Sequence, residues 1–553
     1  LSLRIILLIS LLQTYLLASD DAFEAVKNYL STCLITEKSA LPVKSVLIHP
    51  QNRAKVLGRA NFLRPYLPES YLSPGGNFKI HYTRTGTDAV NPFSSNPDSV
   101  PDFVYQAAQI AERCYSLLID TLGLDAPPPD NYDGNQIDIY IKNWGGNPYA
   151  ETYPEAEVTI TSRPYDYTAY TIIDNDYSEY PTSGLAGLQV TIAHELFHVV
   201  QLGYNWWPSN GLSGSSNGDA YFLEWSSTWF EEYAYPEVND YWFYLSYFFS
   251  NPTMSLWNDS YSYALGPFLN FIVRQADGAF IKRVWERIKS QYALEALEAE
   301  TSQLLQRDLP ELWNIFCRKC YYTNIRYDER YALSEDARNF PLLNIPAANR
   351  VEFITDVALQ ASSACYSTQP YLVAAKSNLW LALSVQLIDA SPGIGSYILS
   401  NSAGDFHQDI IWSSSNLIGK FSNGDNLFIV LTNGNKRQNG TLNVNLMRIA
   451  DTLALTTEIK HLYPNPVYLN FNQDLHVFLQ TGRLMQRAVL MLYDLVGHRV
   501  YTEIIPTELW GIGLHEIVLP SAALTQARLS SGMYLLAIDC GHKTVSRRVI
   551  ILK

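Results

Sequence analysis

Between Asn77 and Ile173 the chain mixes short stretches of two-residue period with one stretch of helical period. Phe78-Lys79-Ile80-His81-Tyr82 and Ile137-Asp138-Ile139-Tyr140-Ile141 put apolar side chains at alternate positions, as half-buried strands do; Val158-Thr159-Ile160 and Tyr170 to Ile173 are shorter strand candidates. Val100 to Leu124 spaces Ala107, Ala108, Ile110, Ala111, Cys114, Leu117 and Leu118 for one helix face and stops before Pro127-Pro128-Pro129. From Leu185 to about Tyr322 helical patterns dominate. Strands first and helices after predict an α+β domain over 75–345. Beyond Phe340 short runs rich in Val, Ile, Leu and Tyr return, among them Trp380 to Ile388, Ser396 to Leu399 and Leu427 to Leu431, broken by Ser, Gly and Asn. They predict a β-sandwich over 346–455. A second β module over 456–553 opens with Tyr463-Pro464-Asn465-Pro466 and continues with strands near 475–479, 488–493, 515–519, 532–538 and 544–552. Residues 19–74, helix-prone and then irregular, read as a prosegment or an N-terminal brace.

Composition narrows the class. With 553 residues, 47% apolar and 17% charged, the chain is globular and too long for one core. A net charge of -15 without a long basic run argues against nucleic acid or an anionic membrane as the partner. Residues 1–18 read as a secretory signal peptide: Arg4 is its positive end, Ile5 to Leu17 its interrupted apolar run, and Ala18-Ser19 its small residues for cleavage. That run is short for a membrane span, and no later segment is long and apolar enough, so the expectation is an exported protein without a stable membrane span. Export makes disulfides possible, but six cysteines allow fifteen complete pairings and the sequence selects none. Cys317-Arg318-Lys319-Cys320 has metal-ligand spacing, yet it lies in a helical stretch without a second such pair.

The strongest chemical signal is His194-Glu195-Leu196-Phe197-His198. Residues four apart on a helix share a face, so His194 and His198 can hold one zinc ion, and Glu195 beside the first histidine can act on a water there. Ile192, Ala193, Leu196, Phe197, Val199 and Val200 make the flanks apolar and the site dry, which strengthens charge interactions within it. A hydrolytic zinc site needs a third protein ligand and an open position. No histidine occurs between His198 and His407, and Gln201 and Tyr204 stand where an extended motif would need Gly and His. The third ligand is therefore a carboxylate from a later helix. In Leu223 to Tyr233, Glu224, Ser227, Thr228 and Glu231 share one face; Glu224 is the first choice and Glu231 the alternative, with the other free to hydrogen-bond a ligand histidine.

A buried two-histidine helix followed by a glutamate on a second helix resembles the gluzincin class of zinc metallopeptidases. The chain is more closely similar to a group of secreted bacterial metalloproteases, through Asn77 to Tyr82, Val100-Pro101-Asp102-Phe103-Val104, Thr191 to Gln201, Glu224 to Glu232, Tyr263 to Ile272 and Trp313-Asn314, over about residues 75–345. The resemblance implies a zincin-like fold in which Glu195 takes a proton from the attacking water and passes it to the leaving amine. It also implies a second oxyanion donor at Tyr263, with Tyr261 equally suited by chemistry. Members of that group often carry a calcium loop before the helix at Val100. Here that stretch is Ser94-Ser95-Asn96-Pro97-Asp98-Ser99, which lacks the glycine and most of the acids, so calcium is not expected there. Three further features have readings of their own. Trp206 to Asp219 is a flap or a connector, Asp174 and Asp176 form a turn or a calcium site, and the strand Tyr170 to Ile173 offers its edge to an extended peptide substrate.

At the other end, Tyr463-Pro464-Asn465-Pro466-Val467, Leu492 to Val500 and Leu529 to Leu535 resemble the C-terminal sorting domain of type IX secretion substrates, over about 460–553. That implies Sec export, engagement by the type IX machinery, and release from or attachment to the outer surface of a Gram-negative-type bacterium. The combined expectation is a secreted zinc endopeptidase acting on protein or peptide substrates. The alternatives are a catalytically silent adhesin or binding protein on the same scaffold and a zinc hydrolase of non-peptide bonds such as glycan amides. Glu195 favours an enzyme, because a binding scaffold has no use for it.

Overall fold

The computed structural model describes residues 64–553 apart from 131, 133, 159–160, 210–211, 213–217, 391, 403, 411–414, 450–456, 472–473, 482–487, 506–512 and 542. The signal peptide, residues 19–63, Cys33, the tip of the Trp206 to Asp219 loop and Thr159-Ile160 lie outside these. The chain divides into two compact units between Asn344 and Ile345.

In the first unit five strands form one mixed sheet: β1 (Glu69–Leu72), β2 (Phe78–Tyr82), β3 (Ile137–Lys142), β4 (Ala150–Glu157) and β5 (Tyr167–Asp174), in the order β1-β2-β3-β5-β4. β2, β3 and β5 run parallel, while β1 and β4 are antiparallel edges. Alternation along the strands gives the sheet two different faces. One presents Ile137, Ile139, Thr171 and Ile173 to Ile192, Leu196 and Val199 of helix α2 (Gly184–Leu202). Helix α1 (Asp102–Tyr115) packs beside α2 through Val104, Ala107, Ala108 and Ala111 and continues as a π turn over Ser116–Thr121, so the expected Val100–Leu124 helix is present as two consecutive pieces. Helix α3 (Ala220–Ala234) lies on α2. Nearly every residue of α2 from Gly187 onward is buried, its polar side chains included.

The opposite face is aromatic. Tyr140, Trp144, Tyr153, Tyr170 and Ile172 cluster there under Leu67, and His81 stacks on Tyr140 with ring centroids 4.4 Å apart. Arg64 closes this face. Its guanidinium binds Glu155 of β4 through two parallel bonds of 2.8 and 2.6 Å and also reaches Asp138 of β3 and Asp130. It lies over the rings of Tyr132 and Tyr170. Asp138 in turn meets His81 Nε2 at 2.7 Å. The sheet of this unit thus begins before residue 75: β1 and the Arg64–Leu67 stretch belong to it, because the acidic groups of β3 and β4 are neutralised by a side chain from the segment preceding β1.

One sequence expectation changes here. β5 was expected to offer an edge, yet it is hydrogen-bonded to β3 on one side and β4 on the other and has none to give. The edge belongs to β4, whose Pro154 and three glutamates hide it from strand patterns, although proline is tolerated in an edge strand. Asp174 ends β5 and its carboxylate holds the turn that follows, accepting from Trp144 N, Asp176 N and Tyr180 OH at 2.8–3.1 Å, and burial pushes its pKa up to about 6.

The second unit is built of β-sheets, as the strand patterns predict. A five-stranded and a four-stranded sheet enclose Phe353, Tyr371, Leu381, Val385, Ile429 and Val444. A three-stranded and a five-stranded sheet enclose Val467, Leu475, Leu490, Leu536 and Val549. The turn motifs of the tail have structural roles. Asn465 Oδ1 accepts from Ile550 N at 2.8 Å, tying the turn to the last strand. Asp494 Oδ1 accepts from Val496 N and His498 N in the hairpin where Gly497 has φ +93°.

Replacing Arg64 by Gln leaves buried carboxylates without their countercharge, and breaking such a pair costs about 3–5 kcal/mol. The expected result is a large fall in the denaturant midpoint of the first unit, read by tryptophan fluorescence; an unchanged midpoint would show that Arg64 does not hold the sheet.

Candidate metal centre

α2 and α3 each turn one polar stripe toward the other. α2 contributes His194, Glu195, His198 and Gln201, and α3 contributes Glu224, Ser226, Ser227 and Glu231, all buried. His194 Nε2 lies 3.0 Å and His198 Nε2 3.6 Å from the same oxygen, Glu224 Oε2. Among the described residues these three form the one group of His, Cys, Asp or Glu side chains whose possible ligand atoms all fall within 4.8 Å of one another. Glu231 stands behind them: its Oε1 accepts from His194 Nδ1 at 2.7 Å. Of the two carboxylates left open by the sequence, Glu224 is therefore the one set against both imidazoles, and Glu231 lies behind His194.

A metal fits this donor set. Three ligands at zinc-like bond lengths of roughly 2.0–2.2 Å in a tetrahedron would stand about 3.3 Å apart, close to the 3.0 and 3.6 Å between Glu224 and the two histidines. His198 Nε2 is buried without a hydrogen-bond partner, which leaves its lone pair for an ion. Without one, His194 has a carboxylate at each nitrogen; burial works to lower its pKa, but Glu224 and Glu231 outweigh burial and hold it up to about 9. Burial likewise works to raise Glu224, and the two imidazoles overcome it and hold its pKa down to about 2.

Glu195 sits beside the pair on α2. Its Oε2 accepts from Thr152 Oγ1 at 2.6 Å, and Thr152 also meets Thr171 Oγ1 at 2.9 Å. Oε1 is buried with no hydrogen-bond partner among the described residues, and burial raises the carboxyl's pKa. Thr152 comes from the edge strand β4, which strand patterns missed. The alternation of Ala150, Thr152 and Pro154 against Glu151, Tyr153 and Glu155 is the one signal that could have found it.

Tyr263 and Tyr261 separate clearly. The ring of Tyr263 lies 6.0 Å from that of His194, centroid to centroid. Tyr261 donates its hydroxyl to Asn251 O and accepts from Met254 N, so it serves its own loop. Gly266, just after the 3₁₀ segment Asp259–Leu265, allows the close approach: a Cβ there would stand 2.8 Å from Thr228 Cγ2 of α3. In the stretch before α1, Ser95 N and Oγ donate to Asp102 and Asn96 Nδ2 donates to Val100 O, so those polar groups close a loop on themselves.

A sequence family described as "Family of unknown function (DUF6055)" matches residues 80–302, the stretch that holds every residue of this site. No curated protein matches the chain. Solved structures with local likeness include the periplasmic g-type lysozyme inhibitor PliG of Salmonella Typhimurium (11% identity, 18% of this chain and 96% of that one, TM-score 0.13). Others are the adhesin domain of Epf from Streptococcus pyogenes (10%, 36% and 77%, TM-score 0.14) and the beta-glucuronidase of Parabacteroides merdae (11%, 34% and 29%, TM-score 0.14). Likeness this low carries no argument about the fold or activity of this chain.

Proposed function

We propose that this chain is a secreted zinc-dependent endopeptidase with a zincin-like catalytic domain, in which His194, His198 and Glu224 hold the ion. The observation that carries the reading is the convergence of these three side chains from two helices, with the unpartnered oxygen of Glu195 next to them. When bound, zinc supplies the positive charge that polarises a scissile carbonyl and makes water acidic. The protein groups do the rest. Glu231 and Gln201 hold the two imidazoles from behind, so the ligand nitrogens stay aimed at one point. Thr152 fixes one oxygen of Glu195, which leaves Oε1 to take a proton from the attacking water and return it to the leaving amine. Tyr263 is placed on the His194 side to donate to the developing oxyanion. An extended peptide would lie along β4, the edge strand that carries Thr152. The secreted part of the reading rests on the sequence of residues 1–18 and on the turn motifs of 456–553, read as a type IX sorting domain. No helix among the described residues is long and apolar enough to cross a membrane.

Metal analysis of the purified chain should find zinc, and Glu224→Ala should remove it. Glu195→Gln should keep the zinc and slow casein cleavage by about 10²–10⁴-fold, the range for loss of a general base. Equal cleavage by both proteins, or a chain with no zinc, would sink the reading. Zinc must displace the proton shared by His194, so binding should weaken as pH falls below about 9, by roughly tenfold per unit for that single proton. Chelator competition at pH 8 and pH 7 measures this; a pH-independent affinity would mean that metal-free His194 does not hold a proton over that range.

A further inference from the structure

Gln201 occupies the position where an extended histidine motif would need glycine, and its side chain is wholly buried between α2 and α3. Its amide nitrogen faces Leu223 O at 3.1 Å, Ser226 Oγ at 3.1 Å and Ser227 Oγ at 3.2 Å. The first can only accept. The second already donates its own proton to Phe222 O at 2.6 Å, so toward Gln201 it too accepts. Two acceptors matched to the two hydrogens of an amide leave one orientation of that amide. Its carbonyl oxygen must then be the atom 2.7 Å from His198 Nδ1. An oxygen with only lone pairs at that distance requires a proton on Nδ1, which places the lone pair of His198 on Nε2, the atom aimed at Glu224 and His194.

We infer that Gln201 is a positioning residue that fixes the tautomer of His198 before any metal arrives and does so by reading the backbone of the helix that carries Glu224. The carbonyl of Leu223 immediately precedes Glu224, so one side chain ties the second histidine to the peptide bond beside the third ligand. The two histidines are thereby held differently: His194 by the charged Glu231, and His198 by a neutral amide that cannot accept a proton from it, with Ser227 Oγ farther off at 3.2 Å. The inference rests on the zinc reading for its purpose, though not for its geometry.

The test uses the full chain, stripped of metal, as wild type, Gln201→Leu and Gln201→Glu. Nitrogen-15 shifts of labelled histidine should show His198 protonated on Nδ1 in the wild type and in Gln201→Glu, which keeps an acceptor there. The preference should weaken in Gln201→Leu, where Ser227 Oγ, 3.2 Å from His198 Nδ1, is the remaining acceptor. Chelator competition should then show zinc binding about 10–100-fold weaker in Gln201→Leu, the usual effect of losing a partner behind a ligand histidine. A wild-type His198 protonated on Nε2, or a folded Gln201→Leu with wild-type tautomer and zinc affinity, overturns the inference. Should Gln201→Leu fail to fold, the wild-type tautomer and Ser226→Ala, which removes one of the two fixed acceptors and should loosen the preference, decide it. A wild type with the Nδ1 proton and no affinity for zinc would keep the lock and reject the peptidase.

Discussion

Two helices with apolar surroundings share a seam of buried polar side chains, and the candidate site exists because the members of that seam satisfy one another. A carboxylate and two imidazoles out of water are unfavourable singly. Here each has partners: Glu231 behind His194, Gln201 behind His198, Thr152 beside Glu195, and Glu224 between the two rings. Among the buried atoms left without a partner on these two helices are His198 Nε2 and Glu195 Oε1 of the site, together with Thr191 Oγ1 and Thr228 Oγ1 nearby.

Much of this was legible in the sequence because helical spacing is local. His194 and His198 four apart, and Glu224 and Glu231 seven apart, announce a shared face without knowledge of the fold. The choice between the two glutamates was not legible, since both occupy that face and only the crossing of α3 over α2 sets one against both imidazoles and the other behind one. Strand order is equally non-local. The pattern of Tyr167–Asp174 marks a strand but says nothing of its neighbours, and the real edge, Ala150–Glu157, carries a proline and three glutamates that mask it. Gln201 entered the sequence reading only as the residue standing where an extended motif would need glycine, and its contacts depend on atoms of another helix.

The second unit shows the opposite balance. Alternation and turn residues located its strands well, because a two-sheet layer is written in period two and punctuated by Gly, Asn and Pro. The motifs of the tail coincide with bonds that hold the turns: Asn465 to the strand Thr544–Leu552, Asp494 to the hairpin at Gly497, and Tyr534 OH donating to Ser530 O. Their structural use and any recognition by an export machinery are separate properties of the same residues.

The socket around Arg64 bears on where this protein can be cut. The matched family stretch opens at residue 80, inside β2, and a fragment trimmed to it would lack β1 and the guanidinium together. Asp130, Asp138 and Glu155 would then share an aromatic floor without the guanidinium that binds all three, with His81 beside Asp138. A recombinant fragment, or a natural maturation cleavage, that respects this electrostatics has its N-terminal border upstream of Arg64.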